Sequence, residues 1–300
     1  ALSICTITLL VLQEWDHRLP VMNFKQDGDV MDFTNADNET GFSTFIVPNI
    51  VHFIRLGRVP LSLAEVVCMR AAWIQQRPER LMIHCDECEW IMESTLWEHI
   101  KDIPGLTLSY IERPSTIFGV SFSWIQHTSD VLRCRILMSY GGIYLDGDSY
   151  LVRSLDDYRR FEMSLGWPEE ECLGNQVLVA HKDARFLKLW YESYRFYRPD
   201  LWYWNAGELP TQMFLTRWPY LVHRVPVKFG VSVLADMLYE TCNWSWRSFD
   251  AIHLLFNHRD YLVKPDKYEP LNMVTISYYK QTFGDMARLV LFGTAKIGTD

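Results

Sequence analysis

Residues 129–152 read SDVLRCRILMSYGGIYLDGDSYLV, and the fold follows from this stretch. Val131, Leu132, Ile136 and Leu137 recur at helical spacing, with Ser129 as the expected N-cap and Asp130 suited to the positive end of a helix. Gly141-Gly142 ends that helix where a positive φ is wanted. Ile143-Tyr144-Leu145 then reads as a short buried strand running directly into Asp146-Gly147-Asp148. Two carboxylates at a strand end, with a small residue between them, suit a hard divalent cation that in turn grips a diphosphate.

The tripeptide alone is weak, and the chain contains it twice. Asp27-Gly28-Asp29 lies in QDGDVMDFTNADNETG, a polar stretch with no strand before it, and reads as a solvated turn. Only Asp146-Gly147-Asp148 sits at the mouth of a helix–strand unit.

The pattern S-D-x-x-R…Y-G-G-I-Y-x-D-x-D resembles the signature of DxD-containing, nucleotide-sugar-dependent glycosyltransferases of the Och1-like and α-1,4-glycosyltransferase-like group (glycosyltransferase family 32). Val47 to Gly57, VPNIVHFIRLG, is similar to that group's first strand, and Ala251-Ile252-His253-Leu254 to a late element. The three patches fall in the expected order. The resemblance implies an α/β fold of the GT-A, Rossmann-like type: a single domain with a mainly parallel central sheet flanked by helices.

Composition agrees with a globular enzyme. Three hundred residues with 49% apolar content suffice for one large core. A net charge of −8 without a Lys/Arg cluster argues against a nucleic-acid partner. Strands are expected at 49–55, 80–85, 106–111, 142–146 and 161–166. Helices are expected at 60–76, 90–101, 127–140, 182–197 and 208–218. Such alternation implies a mainly parallel sheet whose ligands bind at the carboxyl ends of strands, where Asp146 and Asp148 fall.

Residues 1–12 are apolar but shorter than the roughly 20 residues a span requires. The tail of a signal-anchor, a signal-peptide remnant and a local strand all fit them. Residues 13–44 read as a stem or linker, leaving 45–300 as the catalytic domain. Asn38-Glu39-Thr40 and Asn243-Trp244-Ser245 are N-glycosylation sequons. Setting Cys5 aside leaves six cysteines, an even number compatible with lumenal disulfides. For Cys85 and Cys88 a zinc site is disfavoured for want of a second cysteine pair, leaving a disulfide or buried thiols. With the resemblance, these features suggest a type II membrane glycoprotein of the Golgi or endoplasmic reticulum lumen.

The resemblance also implies roles. Asp146 and Asp148 would hold Mn²⁺ or Mg²⁺, with His253 as third ligand and His258 as its rival. Asp130, Arg133, Tyr144, Asp146 and Arg55 would contact the donor, a UDP-sugar in the first instance and a GDP-sugar in the second. Arg55 stands where relatives carry a base-stacking Trp, a task arginine can also perform. Asn175 would lie near the donor sugar as the catalytic amide. Leu201-Trp202-Tyr203-Trp204 would be an acceptor platform or core. The implied reaction is retaining transfer to a hydroxyl of a glycan, lipid or protein. Two rivals stand beside it: an altered GT-A-fold binding or scaffold protein, and a metal-dependent phosphohydrolase or nucleotidyltransferase, which would need further acidic ligands.

Overall fold

The computed structural model of the protein describes residues 30–297. The leader at 1–12, the first part of the expected stem and the Asp27-Gly28-Asp29 copy lie outside the described residues. A central seven-stranded sheet carries the fold. Its strands are β1 (Ile50–Arg55), β2 (Arg80–Cys85), β3 (Leu106–Tyr110), β4 (Gly142–Leu145), β6 (Met163–Gly166), β7 (Gly174–Ala180) and β8 (His223–Val225). Their spatial order is β8-β6-β7-β4-β1-β2-β3. Parallel pairing joins β4, β1, β2 and β3, and also joins β6 to β8; β7 alone runs antiparallel to its neighbours β4 and β6. A separate two-stranded ribbon pairs β5 (Ser149–Leu151) with β9 (Ala251–His253). This ribbon brings the late element to the sheet end where the aspartates lie.

The expected α/β class with a mainly parallel sheet is thus present, and β1 to β4 fall within a residue of their expected ends. Helix α1 (Leu63–Gln76) starts after Pro60 because Ser62 caps it: Ser62 Oγ accepts from Glu65 N and Glu65 returns a bond to Ser62 N at 2.7 Å. Helix α2 (Ile125–Tyr140) begins four residues before Ser129, which is therefore inside the helix and not its cap. It buries Val131, Leu132, Cys134, Ile136 and Leu137. Helix α3 (Arg185–Ser193) ends early in a 3₁₀ turn, and the expected helix at 208–218 is two π-helical turns, Trp204–Glu208 and Thr211–Leu215. The helix expected at 90–101 divides into Cys88–Met92 and a 3₁₀ turn, Thr95–His99. A C-terminal helix, α4 (Thr282–Phe292), packs on α1.

The α2–β4 turn fixes the site. Gly141 has φ 63° and Gly142 φ 113°. A Cβ on Gly142 would lie 2.6 Å from Ile50 O and 2.8 Å from His52 Nε2, so only glycine fits between β4 and β1. His52 and His84 are buried side by side, Nδ1 to Nε2 at 3.0 Å, with His52 Nε2 bound to Gly141 O at 2.9 Å.

The compact unit containing the sheet begins at Ala36, inside the stretch expected as stem. Asn38 ties that segment down: its amide donates to Glu162 Oε2 and Tyr220 O, and the side chain is buried. The first sequon is therefore inaccessible in the fold, whereas Asn243 of the second is exposed. Cys85 and Cys88 form a disulfide, while Cys68, Cys134, Cys172 and Cys242 are free thiols, so six-cysteine pairing is not found. Among the described residues no helix is long and apolar enough to cross a membrane.

Candidate functional site

Asp146 and Asp148 leave the C-terminal end of β4 at the rim of a cleft of about 350 Å³. The cleft is also lined by Ile54, Arg55, Leu56, Val59, Pro60 and Glu65, with Ser129 and Arg133 contributed by α2. Tyr144, two residues before Asp146, points the same way along the strand. Its hydroxyl donates to Asp146 Oδ1 at 2.6 Å, and the Arg133 guanidinium lies 4.7 Å above its ring. Tyr144 is buried and supports the carboxylate from below.

Arg133 is the hub. It lies 2.9 Å from Asp130 and 3.3 Å from Asp146, and donates to Asn175 O at 2.6 Å. The Asn175 side-chain amide donates to Asp130 Oδ1 at 3.0 Å, closing the network from β7. Burial pushes the Asp130 carboxyl up to about 6 even with Arg133 pulling it down. For Arg133, burial opposes the charge, yet Asp146, Tyr144 and Asp130 together hold it protonated well beyond the usual arginine range. Asp130 is buried and is not among the residues lining the cleft, whereas Arg133 is. The i,i+3 spacing puts both on one side of α2, where Asp130 pairs with Arg133 and takes the Asn175 amide.

His253 reaches the site as expected: its Nε2 lies 3.2 Å from Asp148 Oδ1. Asp148 Oδ2 also accepts from Phe256 N at 3.1 Å. Burial would raise the Asp148 carboxyl, but His253 and the Phe256 N–H hold it below the usual range. Conversely, burial would lower His253, and Asp148 overrides it upward. The rival His258 is engaged with the Tyr261 hydroxyl. Arg55 lines the cleft, but its guanidinium is spent on Glu65 and the carbonyls of Val59 and Pro60. These edge contacts brace the 56–60 wall.

Two carboxylates and an imidazole are the right donor types for Mn²⁺ or Mg²⁺. Among the described residues, however, no three His, Cys, Asp or Glu side chains converge as a ready ligand set. The reason is visible in the contacts: Asp146 is held by Tyr144 and Arg133, while Asp148 and His253 face each other. The fit is therefore a close Asp148–His253 pair with Asp146 beside it at the cleft. Sequence reading missed Phe256 N and Gln176, which carry no motif of their own, and Glu65, whose capping box with Ser62 is readable but whose pairing with Arg55 comes only through packing.

Residues 65–165 match the family described as "Glycosyltransferase sugar-binding region containing DXD motif". Through that region the chain is similar to the DXD-containing glycosyltransferases. It is 27% identical over 186 residues to glucan organizing enzyme 1 of Cryptococcus neoformans, a match covering 56% of this chain and 50% of the relative. It is also 33% identical over 84 residues to glycosyltransferase afumC of Aspergillus fumigatus, covering 23% and 21%. The matched segment thus spans at most half the length of these relatives. Among solved structures, PaToxG glycosyltransferase aligns over 81% of this chain and 87% of its own, at 16% identity and TM-score 0.43. Glycosyltransferase GlyE of Streptococcus pneumoniae aligns over 82% and 60%, at 8% identity and TM-score 0.49.

Proposed function

We propose that the protein transfers a sugar from a nucleotide-sugar donor, a UDP-sugar in the first instance, to a carbohydrate hydroxyl. The observation that carries this reading is the placement of Asp146, Asp148 and His253 at one strand end, beside a cleft into which Arg133 projects. In the transfer, the acceptor oxygen bonds to the anomeric carbon and the bond from that carbon to the diphosphate oxygen breaks. The electron pair leaves on the diphosphate, which also takes the hydroxyl proton. Arg133 stands 3.3 Å from Asp146 and supplies fixed positive charge at the cleft wall, where charge develops on the leaving group. Asp148 and His253 would hold the divalent cation, Mn²⁺ or Mg²⁺, with Asp146 reaching it through water. When bound, that cation supplies Lewis-acid stabilisation of the leaving diphosphate. Asn175 holds Asp130 and Arg133 in place through its amide and its carbonyl, which makes it a positioning residue. Retention of anomeric configuration and a secretory-lumen location remain part of the proposal.

The test is a screen of UDP- and GDP-sugars for Mn²⁺-dependent donor hydrolysis. Release of UDP from at least one UDP-sugar is expected. Silence with every donor, in Mn²⁺ and in Mg²⁺, would favour the scaffold reading.

A further inference from the structure

Beyond the Asp148–His253 pair lies a second cavity of about 480 Å³, lined by Glu170, Glu171, Asn175, Gln176, Tyr203 and His253 among others. We infer that it is the acceptor subsite and that it takes an uncharged, hydroxyl-rich carbohydrate while rejecting anionic ones; this rests on the donor reading above. Its location is the first argument. Asn175 and His253 line this cavity, and their other contacts run to Arg133, Asp130 and Asp148. These contacts set the cavity directly beside the carboxylate cleft, the neighbourhood that an acceptor hydroxyl has to occupy to reach a donor held there.

The second argument is an unpaired donor. Gln176 is 4% exposed, and its Nε2 has no hydrogen-bond partner. A buried amide N–H left without an acceptor costs about 1–3 kcal/mol, and because Gln176 lines this cavity, a ligand oxygen that reached the amide would recover that cost. Gly174 gives the Gln176 amide its place, since a Cβ there would lie 2.6 Å from Gln176 Oε1 and 2.7 Å from Val231 Cγ1.

The third argument is charge. Glu170 and Glu171 are exposed at the mouth. Carboxylates only accept and the Gln176 amide nitrogen only donates, while a hydroxyl does both and so matches both walls. A uronate, sulfate or phosphate would meet two like charges instead. Tyr203 adds a fixed aromatic surface, its hydroxyl being tied to Leu173 O.

Saturation-transfer NMR on the full chain, with and without UDP and Mn²⁺, tests this with methyl α-glucoside and methyl α-glucuronide as probes. The glucoside should bind, with the glucuronide weaker by about tenfold, or 1.4 kcal/mol. Gln176→Leu should weaken the glucoside by about fivefold or more while UDP affinity stays unchanged. Glu170→Gln/Glu171→Gln, at exposed positions that leave folding intact, should bring the two probes within about threefold of each other. Equal affinity for both probes in the wild type would overturn the inference, as would a Gln176→Leu protein that binds the glucoside as well as before. UDP binding without binding of either sugar would reject the cavity assignment and spare the donor reading. Sugar binding with this charge preference but without UDP binding would reject the donor reading and uphold the cavity.

Discussion

Replacing Arg133 by Met should cost stability first and donor binding second. Arg133 is 4% exposed and neutralises two carboxylates, Asp130 at 2.9 Å and Asp146 at 3.3 Å, while capping Asn175 O. Methionine fills much of the volume but leaves the Asp130 charge buried with only the Asn175 amide beside it. Breaking a buried pair in this way costs about 3–5 kcal/mol. At roughly 2–4 °C per kcal/mol for a domain of this size, the melting temperature should fall by about 6–20 °C. The loss should depend on pH with a defined sign. The Asp130 carboxyl already stands near 6 with Arg133 present, and without the guanidinium it rises further. A carboxyl raised in the fold destabilises above its folded pKa, and the penalty shrinks as pH falls from there toward the ordinary value near 4. Arg133→Met should therefore be much closer to wild type at pH 5 than at pH 8, and Asp130→Asn/Arg133→Met should recover part of the loss at pH 8. Thermal melts of the three proteins at both pH values measure this. A melting temperature within about 1 °C of wild type at pH 8 would refute the claim that Arg133 holds the network together.

Three further outcomes follow from the contacts. Burial holds His52 at about 3 and His84 at about 4, so both stay neutral in the fold. Their stabilisation is full above the unfolded value near 6.5 and is lost as pH falls below it, at up to about 2.7 kcal/mol per pH unit for the pair; urea midpoints should show this slope between pH 6 and 4, and His84→Gln should lose about half of it. Gly142→Ala should destabilise severely, by more than about 2 kcal/mol in chemical denaturation, because its Cβ has no room at φ 113°; Gly119→Ala, which meets nothing within 4 Å, should cost only the strain of its φ of 85°. Asn175→Ala should lower the rate of transfer with little change in donor affinity if the amide only positions Asp130; a donor Kd weakened as strongly as by Arg133→Met would instead make Asn175 a direct donor contact.

Much of the sheet was legible because its strands are short apolar runs bounded by turn residues, and Asp146-Gly147-Asp148 was legible because it follows one of them. His253 was reachable only by resemblance, since its approach to Asp148 depends on the β5–β9 ribbon, a long-range pairing that no local pattern encodes. The contact between Asp130 and Asn175 was hidden for a related reason. Helical spacing gives the face of α2 but not the height at which β7 crosses it. The committed guanidinium of Arg55 could not be foreseen, because it depends on how the 56–60 segment folds back on Glu65. Gln176 carried no signal at all: its significance is the lack of a partner, which is a property of packing.

The most direct test of the account is calorimetric titration of UDP into the protein with Mn²⁺ and with EDTA, for wild type, Asp148→Asn and His253→Ala. Wild type should bind UDP only with Mn²⁺. Asp148→Asn should lose that binding while keeping a cooperative melt, because its carboxylate stands at the end of a strand and not in the apolar core. His253→Ala should weaken it by about tenfold or more, as removal of a metal ligand does. UDP binding that is equally tight in EDTA, or unchanged in Asp148→Asn, would contradict the assignment of this strand end as the metal–diphosphate site.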